Sequence, residues 1–134
     1  MEVSASLKTI RTSVRKMKPL IDQIRGKRVE DALVVLQFMS RKNALPLLKL
    51  VKSAIANAEH NFQLSASNLK VKSVVAEQGP TLKRFQPRAF GRAFEIRKRT
   101  CSIKLTVTEI KPTIKKTSAS EDTEIATPKE VKSS

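Results

Sequence analysis

The sequence predicts an α+β domain: three helices packed on a small antiparallel three-stranded sheet, with a long protruding β-hairpin arm. Three observations predict it. Apolar and polar residues alternate with a period of two along residues 2–10, 68–78 and 98–110, marking three strands. Between the first two of these, apolar residues recur at helical spacing in three segments. The last two strands are separated by about twenty residues, from Gly79 to Arg99, where a hairpin turn needs roughly two to five.

In the first strand Val3, Ala5 and Leu7 face one way, and Glu2, Ser4, Ser6 and Lys8 the other. Ser13 stands as a cap before Val14, Met17, Leu20, Ile21 and Ile24, so a helix is predicted to run to about Arg25. Pro19 is awkward there and predicts a late start or a kink; Gly26 ends the helix. Val29, Ala32, Leu33 and Leu36 mark a second, short helix. The third is predicted from about Asn43 to Asn61 on the stripe Ala44, Leu47, Leu48, Val51, Ala54, Ile55 and Ala58. Asn43 is its expected N-cap, and Pro46 falls at the third helical position, where no backbone bond is lost. In the second strand Leu69, Val71 and Val75 are expected to share a face. The last strand is the clearest: Cys101, Ile103, Leu105 and Val107 point one way, and Thr100, Ser102, Lys104, Thr106 and Thr108 the other. One face is buried and one is wet.

The 134 residues carry 27 Lys and Arg against 12 acids, a net charge of +15. That length fits one domain with an appended tail. Residues 1–110, the body with its arm, hold 22 basic and 8 acidic residues, a net +14. Residues 111–134 are rich in Ser, Thr, Lys and Glu without periodicity and read as a disordered or extended low-complexity tail. The tail has 5 basic and 4 acidic residues, a net +1, so the electrostatic function is expected in the body. Such an excess opposes compaction. A polyanionic partner makes it useful through phosphate contacts and counterion release, whereas a merely soluble basic protein has no need of it.

The stretch 79–99 concentrates this charge. It holds Lys83, Arg84, Arg88, Arg92, Arg97, Lys98 and Arg99 against the single acid Glu95, a net +6. Phe85, Phe90 and Phe94 are interleaved, three of the chain's five Phe. Guanidinium forks grip phosphates and aromatic rings stack on unpaired bases, so the pattern suits RNA. A plain solvated loop rarely carries exposed Phe. Pro87 and Gly91 bracket the turn, and such an arm would reach roughly 30 Å beyond the body. A hairpin of this kind buries no core of its own, and it is expected to order on binding.

Two further basic groups are candidates for RNA. Arg11, Arg15, Lys16 and Lys18 crowd the start of the first helix, where cations are disfavoured, so they point to phosphate. Arg25, Lys27 and Arg28 lie at its end, where matching the helix dipole is the alternative role. The lone His60 makes neither a metal site nor a triad; a hydrogen bond at the end of the third helix or an RNA contact is open to it. The lone Cys101 reads as a small core residue rather than a nucleophile, and excludes an internal disulfide. Among the body's acids only Glu30 and Asp31 lie close together, and adjacent helical residues diverge. Catalytic residues, a metal site and a cofactor are therefore not expected. No apolar run approaches the roughly 20 residues needed to span a bilayer, and residues 1–16 lack the apolar region of a secretory signal.

Several motifs resemble one family. They are Ile24-Arg25-Gly26-Lys27, the run Lys52-Ser53-Ala54-Ile55-Ala56-Asn57-Ala58-Glu59-His60-Asn61, and Glu77-Gln78-Gly79-Pro80. Lys83-Arg84, Pro87-Arg88-Ala89, Gly91-Arg92-Ala93 and Ile96-Arg97-Lys98-Arg99-Thr100 complete the set. Over about residues 5–109 the chain resembles the ribosomal large-subunit protein L-twenty-two family of bacterial and organellar type. The resemblance implies a structural constituent of the large ribosomal subunit that binds ribosomal RNA and supports subunit assembly. It implies a body on the subunit surface near the exit of the nascent-chain tunnel, and an arm threading between RNA domains to line the tunnel wall. It adds Asn57, His60 and Asn61 to the RNA-contact candidates. It places the tunnel-facing tip at residues 82–91: Leu82, Lys83, Arg84, Phe85, Gln86, Pro87, Arg88, Ala89, Phe90 and Gly91. Its implied partners are large-subunit ribosomal RNA, neighbouring ribosomal proteins and, near the tip, the nascent polypeptide. A single copy per ribosome, no homo-oligomer, no membrane, and a cytoplasmic or organellar ribosome are implied with them. The sequence departs from the family's usual pattern at Phe90, Phe94 and Pro19, and residues 111–134 have no clear counterpart.

The residues also leave two rival classes to weigh. An architectural DNA binder can use a β-arm with a wedge residue such as Pro87 in a minor groove. An enzyme acting on RNA needs an acid–base or metal constellation that the sequence does not supply.

Overall fold

The computed structural model describes residues 1–110; the predicted tail, 111–134, lies outside the described residues. The elements follow in the order β1 (Glu2–Ile10), α1 (Val14–Ile24), α2 (Val29–Phe38), α3 (Ala44–Phe62), β2 (Leu69–Gln78), β3 (Leu82–Pro87), β4 (Ala93–Lys98) and β5 (Cys101–Glu109). The body sheet is antiparallel with order β1-β5-β2, and the arm is a separate antiparallel ribbon of β3 and β4. The expected α+β architecture holds.

Burial explains the layering. Val3 and Ala5 of β1, Leu69, Val71 and Val74 of β2, and Cys101, Ile103, Leu105 and Val107 of β5 turn one face of the sheet inward. Met17, Leu20, Ile21 and Ile24 of α1, Val29, Ala32 and Leu36 of α2, and Leu47, Leu50, Val51, Ala54 and Ala58 of α3 cover that face. Full burial of each large aliphatic side chain contributes about 1.5–3 kcal/mol. No Phe takes part: Phe38, Phe62, Phe85, Phe90 and Phe94 are all exposed. The core is aliphatic, and the aromatic residues are left for the surface.

Four expectations change in detail. Val75 lies outside the core and Val74 inside it, because Lys72 is an extra residue in β2: Val71 pairs with Val107, and Ser73 with Thr106. One inserted residue turns every later side chain to the opposite face. Helix α1 does not start late. It runs through Pro19 as its sixth residue, and Pro19 and Arg15 face solvent, where water can take the carbonyl bond that Pro19 cannot supply. Ser13 and Asn43 occupy the N-cap positions of α1 and α3, yet neither side chain bonds its helix. Thr100 is buried rather than solvent-facing, and its hydroxyl donates to the Pro80 carbonyl at 2.6 Å.

That last contact fixes the root of the arm. The Gly79 N–H donates to the Thr100 carbonyl at 3.0 Å, and a Cβ on Gly79 would lie 2.6 Å from the Thr100 hydroxyl oxygen. Glycine is required there by close approach. Beyond it, β3 and β4 pair in register from Leu82 with Lys98 to Pro87 with Ala93, about 20 Å of ribbon with every side chain exposed.

Core and arm are thus separable. Leu47→Ala is expected to lower the unfolding free energy by about 2–5 kcal/mol in denaturant titration. Deleting residues 82–91 is expected to leave the body's helical circular dichroism and its unfolding midpoint essentially unchanged. A collapsed body after that deletion would show that the arm belongs to the core.

Candidate nucleic-acid interface

The arm presents two chemically distinct faces. Directly paired residues of antiparallel strands share a side, so Leu82, Arg84 and Gln86 stand with Lys98, Ile96 and Phe94. Lys83, Phe85 and Pro87 stand opposite them with Arg97, Glu95 and Ala93. On this second face the Glu95 carboxylate lies 3.6 Å from Lys83 Nζ and 3.5 Å from Arg97 Nε, neutralising part of the charge. Arg84 donates to the Lys83 carbonyl at 2.7 Å, and the Arg88 guanidinium lies 5.7 Å from the centre of the Phe94 ring. Arg92, Lys98 and Arg99 form no ion pair among the described residues.

The turn is at residues 88–92, closed by the Arg88 N–H to the Arg92 carbonyl at 2.8 Å, with Phe90 and Gly91 at positive φ. Phe90 is 98% exposed and is the arm's most distal apolar group. Of residues 82–91, those from 88 onward lie in the turn and 82–87 in β3. Leu82 pairs with Lys98 at the root, and Pro87 is held within β3 opposite Ala93, so it is not placed as a wedge.

At the root, arm and body meet in a basic cleft. Arg11, Thr12, Ser13, Lys16, Lys42, Asn43, Arg97, Lys98 and Arg99 line a space of about 530 Å³ that contains six cations and no acid. The hydroxyl of Thr12 donates to Asn43 Oδ1 at 3.1 Å, which ties the start of α1 to the start of α3 and brings Lys42 beside Lys16 and Arg11. Both helices open into this cleft without acids in their first turns. Their positive dipole ends therefore add to the cationic field instead of being neutralised. Arg11 also donates to the Arg99 carbonyl at 3.2 Å, joining body to arm. A second cleft of about 510 Å³ at the root is lined by Gln78, Thr81, Lys83, Arg97 and Arg99. Such surfaces suit a polyanion held through its backbone.

The remaining candidates are dispersed. Lys18 and Arg25 flank a groove of about 290 Å³ floored by Val14, Ile21, Val74 and Val75. Arg25 is held by Asp22 at 3.4 Å and donates to the Val74 carbonyl at 3.1 Å, so part of its role is structural. Lys27 and Arg28 are exposed at the turn between α1 and α2. Arg15 is exposed on α1. Asn57 is half-buried, and His60 and Asn61 are exposed, near the end of α3. His60 lies about 25 Å along the helix from the cleft at Asn43. The His60 imidazole makes no hydrogen bond among the described residues. The helix is closed instead by the backbone, with Gln63 N–H to Glu59 carbonyl at 3.0 Å and Leu64 N–H to Ala58 carbonyl at 3.2 Å.

Lys42 and the polar residues Thr12, Ser13 and Asn43 are the cleft members that sequence reasoning missed. A signal for Lys42 existed, since Arg41 and Lys42 precede a helix start, where cations are disfavoured. Cys101 is buried in β5, and burial pushes its thiol up, consistent with a core role. Among the described residues no group of three or more His, Cys, Asp or Glu is placed to hold a metal, and no helix is long and apolar enough to cross a membrane.

The Glu95 pairs generate a test. Glu95→Gln frees Lys83 and Arg97, so RNA affinity at low salt is expected to rise by about threefold. The slope of log K against log salt should steepen by about one. Filter binding across a salt series checks both, and an unchanged slope would place these two cations outside the interface.

Residues 5–108 match the family described as Ribosomal protein L22p/L17e. The chain is 50% identical over 99 residues to Large ribosomal subunit protein uL22 of Synechococcus sp. (strain RCC307), covering 74% of this chain and 84% of that one. It is 49% identical over 106 residues to the protein of that name from Nostoc punctiforme, covering 79% and 90%. With the Synechococcus sp. (strain JA-3-3Ab) protein it shares 48% identity over 111 residues, covering 83% and 90%. A match over most of the chain, with a helical body, a basic neck and a paired arm, shows that the chain belongs to the Ribosomal protein L22p/L17e family.

Proposed function

We propose that this chain is a non-enzymatic structural constituent of the large ribosomal subunit that binds large-subunit ribosomal RNA and supports subunit assembly. The observation that carries this reading is the cleft at the arm's root, where six cations from body and arm converge without an acid. Phosphates that converge there lose their mutual repulsion, so RNA segments distant in sequence can pack around one protein. The arm acts as a strut. Arg84, Arg88, Arg92 and Lys98 grip backbone along it, and Phe85, Phe90 and Phe94 offer faces for unpaired bases. Its partners are ribosomal RNA and neighbouring ribosomal proteins, in a cytoplasmic ribosome of bacterial type.

The family resemblance, together with an exposed tip, supports a finer placement. Residues 88–92 reach the wall of the nascent-chain exit tunnel, where the exposed Phe90 and Gly91 face the growing polypeptide. One copy serves each ribosome. Pro87, the wedge that the DNA reading invokes, is paired within the ribbon opposite Ala93.

If about six phosphates are engaged, log K should fall with log salt at a slope of about −4 to −5. Tagged protein in lysate should sediment with the large subunit. A slope near zero, or a tagged protein that stays with the free fraction, would overturn the reading.

A further inference from the structure

The geometry points to the cleft at the root of the arm as a phosphate clamp that sets the arm's direction. Phosphates seated between body and arm draw the two together, so the strut is aimed by the RNA it binds. The inference rests on the RNA-binding reading above and goes beyond it by assigning the cleft a mechanical role.

Beyond its root, where Gly79 and Thr100 extend the β2–β5 pairing, the arm has no side-chain packing to hold its angle. Neither β3 nor β4 makes more than marginal contact with any helix or strand of the body, and every side chain from Leu82 to Pro87 and Ala93 to Lys98 is exposed. Two bonds at the root, from Gly79 N–H to the Thr100 carbonyl and from the Thr100 hydroxyl to the Pro80 carbonyl, tie the arm's two ends to each other. The bond that joins the first segment of the body to the arm is the exposed one from Arg11 to the Arg99 carbonyl at 3.2 Å. One solvated hydrogen bond contributes little against rotation of a lever this long.

Charge decides the rest. Arg11, Lys16 and Lys42 on the body face Arg97, Lys98 and Arg99 on the arm. No acid lines the cleft, and among the described residues only Arg97 has an acidic partner, Glu95 outside it, so like charges oppose closure in the absence of an anion. A phosphate that touches both halves reverses that sign, and it binds the closed arrangement better than any open one. Such a ligand shifts the population toward closure by its differential affinity. The body half is already built, because the Thr12–Asn43 bond fixes the two helix starts relative to each other. The space of about 530 Å³ is open to solvent and roomy enough for a phosphate with its waters.

The test is a distance. Spin labels at Gln37→Cys on α2 and Phe90→Cys at the tip occupy exposed positions, while the native Cys101 is buried. Pulsed dipolar spectroscopy on the full chain compares no ligand, sodium pyrophosphate, oligouridylate, and sodium chloride at matched ionic strength. The expected result is a broad distribution that narrows to one distance with pyrophosphate and with oligouridylate, but not with chloride. Lys42→Gln should raise the pyrophosphate midpoint by about threefold, the size of one exposed charge contact, while Lys49→Gln, outside the cleft, should leave it unchanged. A distribution already narrow without anion would overturn the clamp, as would one that chloride narrows equally. Filter binding on the same samples separates the two readings. RNA retained with the distance unchanged sinks the clamp alone, and RNA not retained at all sinks the RNA-binding reading together with it.

Discussion

Strand β5 is hydrogen-bonded along both edges, to β1 from Glu2 to Ile10 and to β2 from Leu69 to Gln78. That double pairing is the constraint on which the molecule depends. It joins segments from the two ends of the described chain, and it turns Cys101, Ile103, Leu105 and Val107 onto one buried row. The helices have a floor to cover only because that row exists. The same strand begins beside Thr100, whose buried hydroxyl and carbonyl lock onto Pro80 and Gly79. The sheet therefore both supports the core and launches the arm.

Folding and function divide the residues between them. Aliphatic side chains of the body supply the burial, and the arm contributes none. The arm's pairing is a ribbon of two strands, marginal in water by itself. The helix starts at Ser13 and Asn43 forgo side-chain capping and first-turn acids, and they gather cations instead. Each choice weakens local structure and strengthens attraction for phosphate. Conflicts of this kind, between what a helix prefers and what the surface carries, are expected where a protein binds rather than folds.

How much of this was legible depended on whether one physical signal acted alone. Strand β5 could be read because burial on one face imposes a strict period of two. The stripe of α3 could be read for the same reason at the helical period, although the buried Leu50 was missed beside its neighbours. The inward turn of Val74 was not legible, because a bulge at Lys72 leaves no local mark in an alternating run. The basic arm was evident from its length and charge, but its charge balance was not. Only cross-strand register brings Glu95 to Lys83, and only tertiary packing brings Lys42 to Arg97 and Arg99. The neck cleft is assembled from three separate stretches of chain, so no window of sequence contains it.

Amide hydrogen exchange along the free and RNA-bound chain tests the central claim most directly, that a self-sufficient body carries an arm which depends on RNA for its order. In the free protein the amides of β5 should exchange slowest, and those of β3 and β4, in an exposed two-stranded ribbon, much faster. On addition of large-subunit ribosomal RNA, protection should rise in β3, β4 and the stretch from Arg11 to Lys16, and remain constant in β5. An arm as protected as β5 without RNA, or no gain in the arm when RNA is bound, would contradict the account.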